Sequence, residues 1–198
     1  MSAARRWIWS FCAWLTVVFC AQPAFAHPGH AGSAFADGWL HPFSGLDHLL
    51  AMIAVGLLAV RLGGRALWIV PGSFLGGMLL GGLTGAAGLP CPHIEAGITA
   101  SVLVLGLLVA ASRAVPLAAG VAIVTIFAVL HGHAHAAEMI PGGSLAAYAA
   151  GFLLATALLH AAGIVAGVAL AAASTRTHVR ALGGAIAAAG LLLCLGWI

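Results

Sequence analysis

Six long apolar stretches follow one another along the chain after its first 26 residues. They cover residues 43–60, 66–86, 95–112, 115–137, 145–172 and 179–198, and short polar or glycine-containing breaks separate them. A helix that spans a bilayer needs about 20 mostly apolar residues, and these stretches do not alternate as barrel strands do. The pattern therefore predicts an all-α, polytopic membrane bundle of six transmembrane helices in a single domain, 27–198.

Residues 1–26 have a different pattern, in which two arginines precede an apolar stretch at 7–20. The sequence Ala-Phe-Ala that ends at Ala26 is a small-x-small cleavage site, so this segment is predicted to be a secretory signal peptide. A retained first transmembrane helix is the alternative, but the apolar stretch is short and ends before Pro23, which favours cleavage. The mature chain would then begin at His27 on the periplasmic side of a bacterial cytoplasmic membrane.

Composition agrees with a membrane protein. Of the 198 residues, 63% are hydrophobic and 6% are charged, whereas a soluble domain carries charge on about a quarter of its residues. The lipid bilayer is therefore a predicted partner. When Arg5 and Arg6 leave with the signal peptide, five of the seven basic residues remain against four acidic residues, so a nucleic-acid partner is not indicated.

The remaining arginines predict an orientation in the membrane. All of them lie in or beside the breaks after the first, third and fifth predicted helices: Arg61, Arg65, Arg113, Arg176 and Arg180. Cytoplasmic loops are enriched in arginine, and a periplasmic N-terminus places these breaks in the cytoplasm. The same topology places the four acidic residues and most of the histidines at the periplasmic mouth of the bundle.

The first candidate motif is the sequence His-Pro-Phe-Ser-Gly-Leu-Asp-His at 41–48. A helix that begins at Pro42 would place His41 and His48 on one face, with Met52 one turn farther along and Asp47 about 100° away. Charged groups inside an apolar stretch are costly, which favours a metal-ligand set at the mouth of the first helix. The alternative is a capping His41 and a structural contact between Asp47 and His48.

The second candidate motif is the sequence His-Gly-His-Ala-His-Ala-Ala-Glu at 131–138. His131, His135 and Glu138 share one helical face, and an i, i+4 pair of histidines is a metal-chelating geometry. His133 points nearly the opposite way and is a weaker candidate, while Gly132 permits close approach of a neighbouring helix or an ion. A polar helix end at the membrane interface is the alternative.

Other polar residues are weaker candidates. His93 and Glu95 lie at the outer start of the third helix, where capping and the helix dipole explain the carboxylate equally well. The mature N-terminus, with His27 and His30, either chelates an ion or is a tail with incidental histidines. His160, near mid-membrane, either lines a translocation path or is a buried, hydrogen-bonded histidine.

Ligand chemistry predicts a divalent metal ion as a partner without selecting one. Imidazole suits zinc, copper, iron and nickel alike. After the signal peptide only Cys91 and Cys194 remain, and their spacing is not that of a zinc site. They either pair as a disulfide or fill apolar space, and the lack of thiolate ligands argues against Cu(I).

Both motifs resemble signatures of the HupE/UreJ family. His-Pro-x-x-Gly-x-Asp-His at 41–48 is similar to its first-helix signature, and 131–138 is similar to His-Gly-x-Ala-His-Gly-x-Glu, with Ala136 in place of glycine. The resemblance implies a permease, not an enzyme, that supplies Ni²⁺, or Co²⁺, to a hydrogenase or urease, without an organic cofactor. It also implies metal-handling roles for the matching residues: His41, Asp47, His48, Glu95, His131, His135 and Glu138.

Two other functions remain open from the sequence. A membrane metalloenzyme of the histidine-box type would gather more ligands on the cytoplasmic side, whereas these residues are predicted to face outward. Neither His-Glu-x-x-His nor Gly-x-Ser-x-Gly occurs, and no ATP-binding motif is present. A metal-binding accessory subunit that does not transport its ion is the other alternative.

Overall fold

The computed structural model describes residues 34–111, 115–138, 144–173 and 177–198, without the side chains of residues 137, 138 and 173. These residues form seven helices and no strand, which confirms the predicted all-helical class. The helices are α1 (Ala34–Ser44), α2 (Leu46–Leu62), α3 (Ala66–Ala86), α4 (Ile94–Ala110), α5 (Leu117–Glu138), α6 (Leu145–Ala173) and α7 (Thr177–Cys194). The predicted signal peptide, His27, His30, Arg113 and Arg176 lie outside the described residues.

The later predicted spans correspond to single helices. The stretch 66–86 coincides with α3, and the other four agree with α4 to α7 within a few residues. Among the described helices, α3, α5, α6 and α7 are long and apolar enough to cross a membrane, and α1 with α2 would add a fifth crossing as one bent span. With 17 residues, α4 is about 25 Å long, somewhat less than a typical hydrocarbon core.

The first predicted span, 43–60, corresponds to α2 within a few residues, and a separate helix, α1, precedes it. The chain turns by 82° between α1 and α2, at the extended residue Gly45. The prediction that a helix begins at Pro42 is therefore wrong, because Pro42 lies buried within α1. At the break, the Ser44 hydroxyl donates a 2.6 Å hydrogen bond to the carbonyl of His41, which satisfies one of the carbonyls at the end of α1.

Close helix packing depends on glycine at a few positions. A Cβ atom on Gly132 of α5 would lie 2.0 Å from the carbonyl oxygen of Met78 on α3. Likewise, a Cβ on Gly163 of α6 would lie 2.4 Å from the carbonyl oxygen of Ile53 on α2. Small residues permit such contacts between helix backbones in lipid, so Gly132 serves helix approach, as its position in the second motif predicted.

The surface of the bundle is that of a membrane protein. Large apolar side chains are exposed along the bundle, including Trp68 at 82% and Trp197 at 73% of their area. Trp68 lies at the start of α3 and Trp197 follows α7, and tryptophan is enriched where helices meet the membrane interface. Apolar exposure of this extent suits lipid contact better than water.

Candidate metal centre

Three histidines from three helices converge at one end of the bundle. His41 of α1, His48 of α2 and His135 of α5 each offer a ring nitrogen, and these atoms all lie within 4.8 Å of one another. The centroid of the His135 ring is 4.4 Å from that of His41 and 4.8 Å from that of His48. We refer to these three residues as the histidine cluster. A set of imidazoles this close together is a ligand arrangement for a divalent transition metal.

The bend at Gly45 brings the first motif into the cluster. His41 and His48 were predicted to share a face of one helix, but they lie on two helices, with ring centroids 5.5 Å apart. The two histidines are therefore close together, as predicted, but the bend between the two helices brings them together and not a shared helical face. Gly45 also leaves room for the site, because a Cβ there would lie 2.6 Å from Oδ1 of Asp47 and 3.1 Å from Nδ1 of His48.

Asp47 orients His48. Its Oδ1 lies 2.7 Å from His48 Nδ1 and also accepts a 2.7 Å hydrogen bond from the backbone N–H of His48. A carboxylate at this distance holds the proton on Nδ1, so Nε2 carries the lone pair that can bind a metal. Among the described residues, that buried Nε2 has no hydrogen-bond partner. In this geometry Asp47 acts through His48, although it was predicted as a ligand itself.

We expect Asp47→Asn to weaken binding of a divalent transition metal ion by about tenfold, since an amide orients His48 without supplying negative charge. Equilibrium binding of Ni²⁺ to the purified protein in detergent measures this change. Asp37→Asn is the matched control, because it removes the same charge from α1, where no hydrogen bond to His48 is found. Equal losses in the two variants would contradict an orienting role and indicate a general electrostatic effect.

His131 adds a fourth imidazole, one helical turn from His135 on α5. It is fully buried, its ring centroid is 5.1 Å from that of His48, and its Nδ1 donates a 2.9 Å hydrogen bond to the carbonyl of Phe127. Its Nε2 therefore carries the lone pair and has no hydrogen-bond partner among the described residues. The predicted common face of His131 and His135 is confirmed, because both rings lie beside His48.

His133 faces away from the histidine cluster, as predicted. Its Nδ1 lies 3.0 Å from the hydroxyl of Thr84 on α3, and that hydroxyl in turn donates to the carbonyl of Gly81. Since the Thr84 proton is used in this way, His133 Nδ1 is the donor to Thr84. The side chain is 7% exposed, so it stabilises the contact between α3 and α5 and is not a surface group.

The structure leaves several candidates outside the histidine cluster. His93 and Glu95 are exposed at the start of α4, and His93 has a left-handed backbone with φ of 60°. Met52 is fully buried in the apolar core, one turn beyond His48. The backbone of Glu138 ends α5, and its side chain lies outside the described part of the chain.

Two phenylalanines border the imidazoles, and the sequence did not single them out. The ring centroid of Phe152 on α6 is 4.0 Å from that of His135, and Phe74 on α3 is 5.6 Å from His131. An apolar cavity of about 270 Å³ between α3, α5 and α6 is lined in part by His135 and Phe152. A phenylalanine in an apolar helix gives no sequence signal of a site, because most such residues only fill the core.

The chain is similar to known proteins over nearly its whole length. The model of the family described as "HupE / UreJ protein" matches residues 15–193. Protein HupE of Rhizobium leguminosarum bv. viciae is 43% identical over 185 residues, which cover 91% of this chain and 96% of that protein. No solved structure shows a significant match. A match over nearly the whole length, together with the convergence of the first and second motifs, shows that the chain belongs to the HupE/UreJ family.

Proposed function

We propose that this protein is a secondary permease that takes up Ni²⁺, and Co²⁺ as a second ion, across the bacterial cytoplasmic membrane. The ion would supply a metalloenzyme, a hydrogenase or a urease. The observation that carries the proposal is the convergence of three imidazoles from separate helices at one end of an apolar bundle. A binding site built between helices can open and close as the helices move, whereas a site on one helix cannot.

The orientation of the bundle supports uptake. The histidine cluster lies where α1 ends and α2 begins, whereas Arg61 lies in the last turn of α2 and Arg65 immediately precedes α3. Arginine is enriched on the cytoplasmic side, so the cluster would open to the periplasm. We propose six crossings in this arrangement: the four helices that are long and apolar enough by themselves, the bent pair α1 and α2, and the shorter apolar helix α4.

Capture of the ion would proceed by exchange of ligands. Imidazoles of the histidine cluster replace waters of the hydrated ion, and the carboxylate of Asp47 offsets part of its charge through His48. Three neutral ligands and one nearby carboxylate bind a divalent ion less firmly than a set of thiolates would. Moderate binding suits a permease, because the ion must also leave the site.

Reconstitution of the purified, full-length protein into liposomes tests the proposal. We expect addition of Ni²⁺ outside to raise the signal of a nickel-sensitive chelator trapped inside, at a rate well above that of protein-free vesicles. Competition by Co²⁺, Zn²⁺ and Cu²⁺ in the same assay determines ion selectivity. Firm nickel binding without any flux would contradict the permease and favour an accessory subunit or a metalloenzyme.

A further inference from the structure

His160 of α6 is buried without a hydrogen-bond partner. It is 1% exposed, and neither of its ring nitrogens meets a donor or acceptor among the described residues. One turn earlier on the same face, the hydroxyl of Thr156 is fully buried and also has no partner there. A buried polar group without a partner destabilises the fold, so two adjacent ones require an explanation. A hydrogen-bonded core histidine, one of the two interpretations from the sequence, does not fit.

A continuous series of ring contacts joins His160 to the histidine cluster. From His48 the ring of His131 is 5.1 Å away, and Phe74 follows at 5.6 Å from His131. Phe74 in turn meets His160 edge-on, with ring centroids 5.0 Å apart and planes at 89°. Both histidines therefore contact one phenylalanine ring, which separates a polar region near the entrance from a second one deeper in the bundle.

Residues of α6 connect the histidine cluster to His160 by a second route, along the helix itself. Phe152, whose ring lies 4.0 Å from that of His135, precedes Thr156 by one turn and His160 by two. At a rise of about 1.5 Å per residue, His160 lies roughly 12 Å deeper than Phe152. The partnerless hydroxyl and imidazole thus lie on the face of α6 that borders the cluster.

We propose that His160 and Thr156 form a second, deeper binding station for the divalent cation, which the ion reaches from the histidine cluster past Phe74. This inference rests on the proposed permease function. An ion in transit would use the partnerless nitrogen and hydroxyl in turn, which explains why the fold leaves both unsatisfied. A cation can also pass the face of an aromatic ring at low cost, since the ring's π-electrons attract it.

The deeper station is electrically neutral, unlike the entrance. The four acidic residues of the chain are Asp37, Asp47, Glu95 and Glu138, and none of them belongs to α6, which carries His160 and Thr156. With one imidazole, one hydroxyl and retained water as ligands, the deeper station holds the ion weakly. A weak second site lowers the barrier to crossing the apolar interior without trapping the ion there.

His160→Leu and His160→Asn, in the full-length protein in liposomes, test the station with Ni²⁺ as the probe. We expect the leucine variant to lower initial flux by about tenfold while equilibrium binding at the histidine cluster stays as in the wild type. The asparagine variant restores part of the flux, because its amide oxygen can bind the ion. Thr156→Val, nearly equal in volume, lowers flux by about threefold.

His178→Ala, at the exposed start of α7, is the matched histidine control and leaves flux unchanged. Two results would overturn the deeper station without contradicting the permease. One is wild-type flux in the leucine variant, and the other is a flux in the asparagine variant no higher than in the leucine variant. Absence of flux in the wild type would instead reject the proposed function. If the leucine variant loses nickel binding and fold together, Thr156→Val decides, and an unchanged flux there overturns the inference.

Discussion

His48→Ala is expected to reduce nickel flux at trace concentrations by roughly a hundredfold, the largest loss expected from removing one polar side chain of the site. The ring of His48 is held by the carboxylate of Asp47, and it borders the rings of His41, His131 and His135. Alanine removes a proposed metal ligand and also leaves Asp47 half-buried without its partner. Flux into liposomes and equilibrium nickel binding should therefore fall together.

His93→Asn is the matched control for this prediction. His93 is exposed at the start of α4 and has a left-handed backbone, which asparagine tolerates better than most residues. Since His93 lies outside the histidine cluster, we expect flux and binding within about twofold of the wild type. Similar losses in both variants, or wild-type flux in His48→Ala, would show that the cluster is not where the ion is captured.

Gly132→Ala is expected to destabilise the protein by about 2 kcal/mol and to abolish nickel binding. The added Cβ would lie 2.0 Å from the carbonyl oxygen of Met78 and 2.7 Å from its carbonyl carbon, so α3 and α5 would have to separate. Gly132 stands between His131 and His133, and any shift of α5 would move the imidazoles away from His48. Thermal unfolding in detergent and nickel binding measure the two effects.

Gly76→Ala makes the same substitution on α3, where a Cβ would meet nothing within 4 Å. Alanine is the better helix former, so we expect this control to be neutral or slightly more stable, with wild-type binding. A Gly132→Ala variant with the thermal stability and nickel binding of the wild type would show that the contact between α3 and α5 does not position the site.

The sequence placed most of the helices correctly because the length of an apolar run is a local property. The prediction for α3 coincides with the observed bounds, and its ends follow from the change to glycine-rich turns on either side. The start of the first helix was predicted less well, because the preference of proline for the first position of a helix pointed to Pro42, whereas Pro42 lies within α1 and the chain turns at Gly45. Glycine there permits the extended backbone that redirects the chain.

The candidate site was predicted only in part, because some of its geometry lies within a single helix and the rest depends on contacts between helices. Helical spacing along α5 correctly put His131 and His135 on one face and His133 on the other, because that relation lies within a single helix. Their meeting with His41 depends on contacts between α1, α5 and α6, which no local pattern encodes. The same holds for the rings of Phe74 and Phe152, whose importance comes only from their neighbours.

The sequence alone thus determined the membrane character of this chain, through its runs of apolar residues, and its candidate metal ligands, through two histidine motifs. The fold decided which histidines can share one ion. It brought His41, His48 and His135 together and left Glu95 exposed elsewhere. The physical reason is that a ligand set depends on distances of a few ångströms between helices. Those distances are set by backbone contacts such as that of Gly132 with Met78.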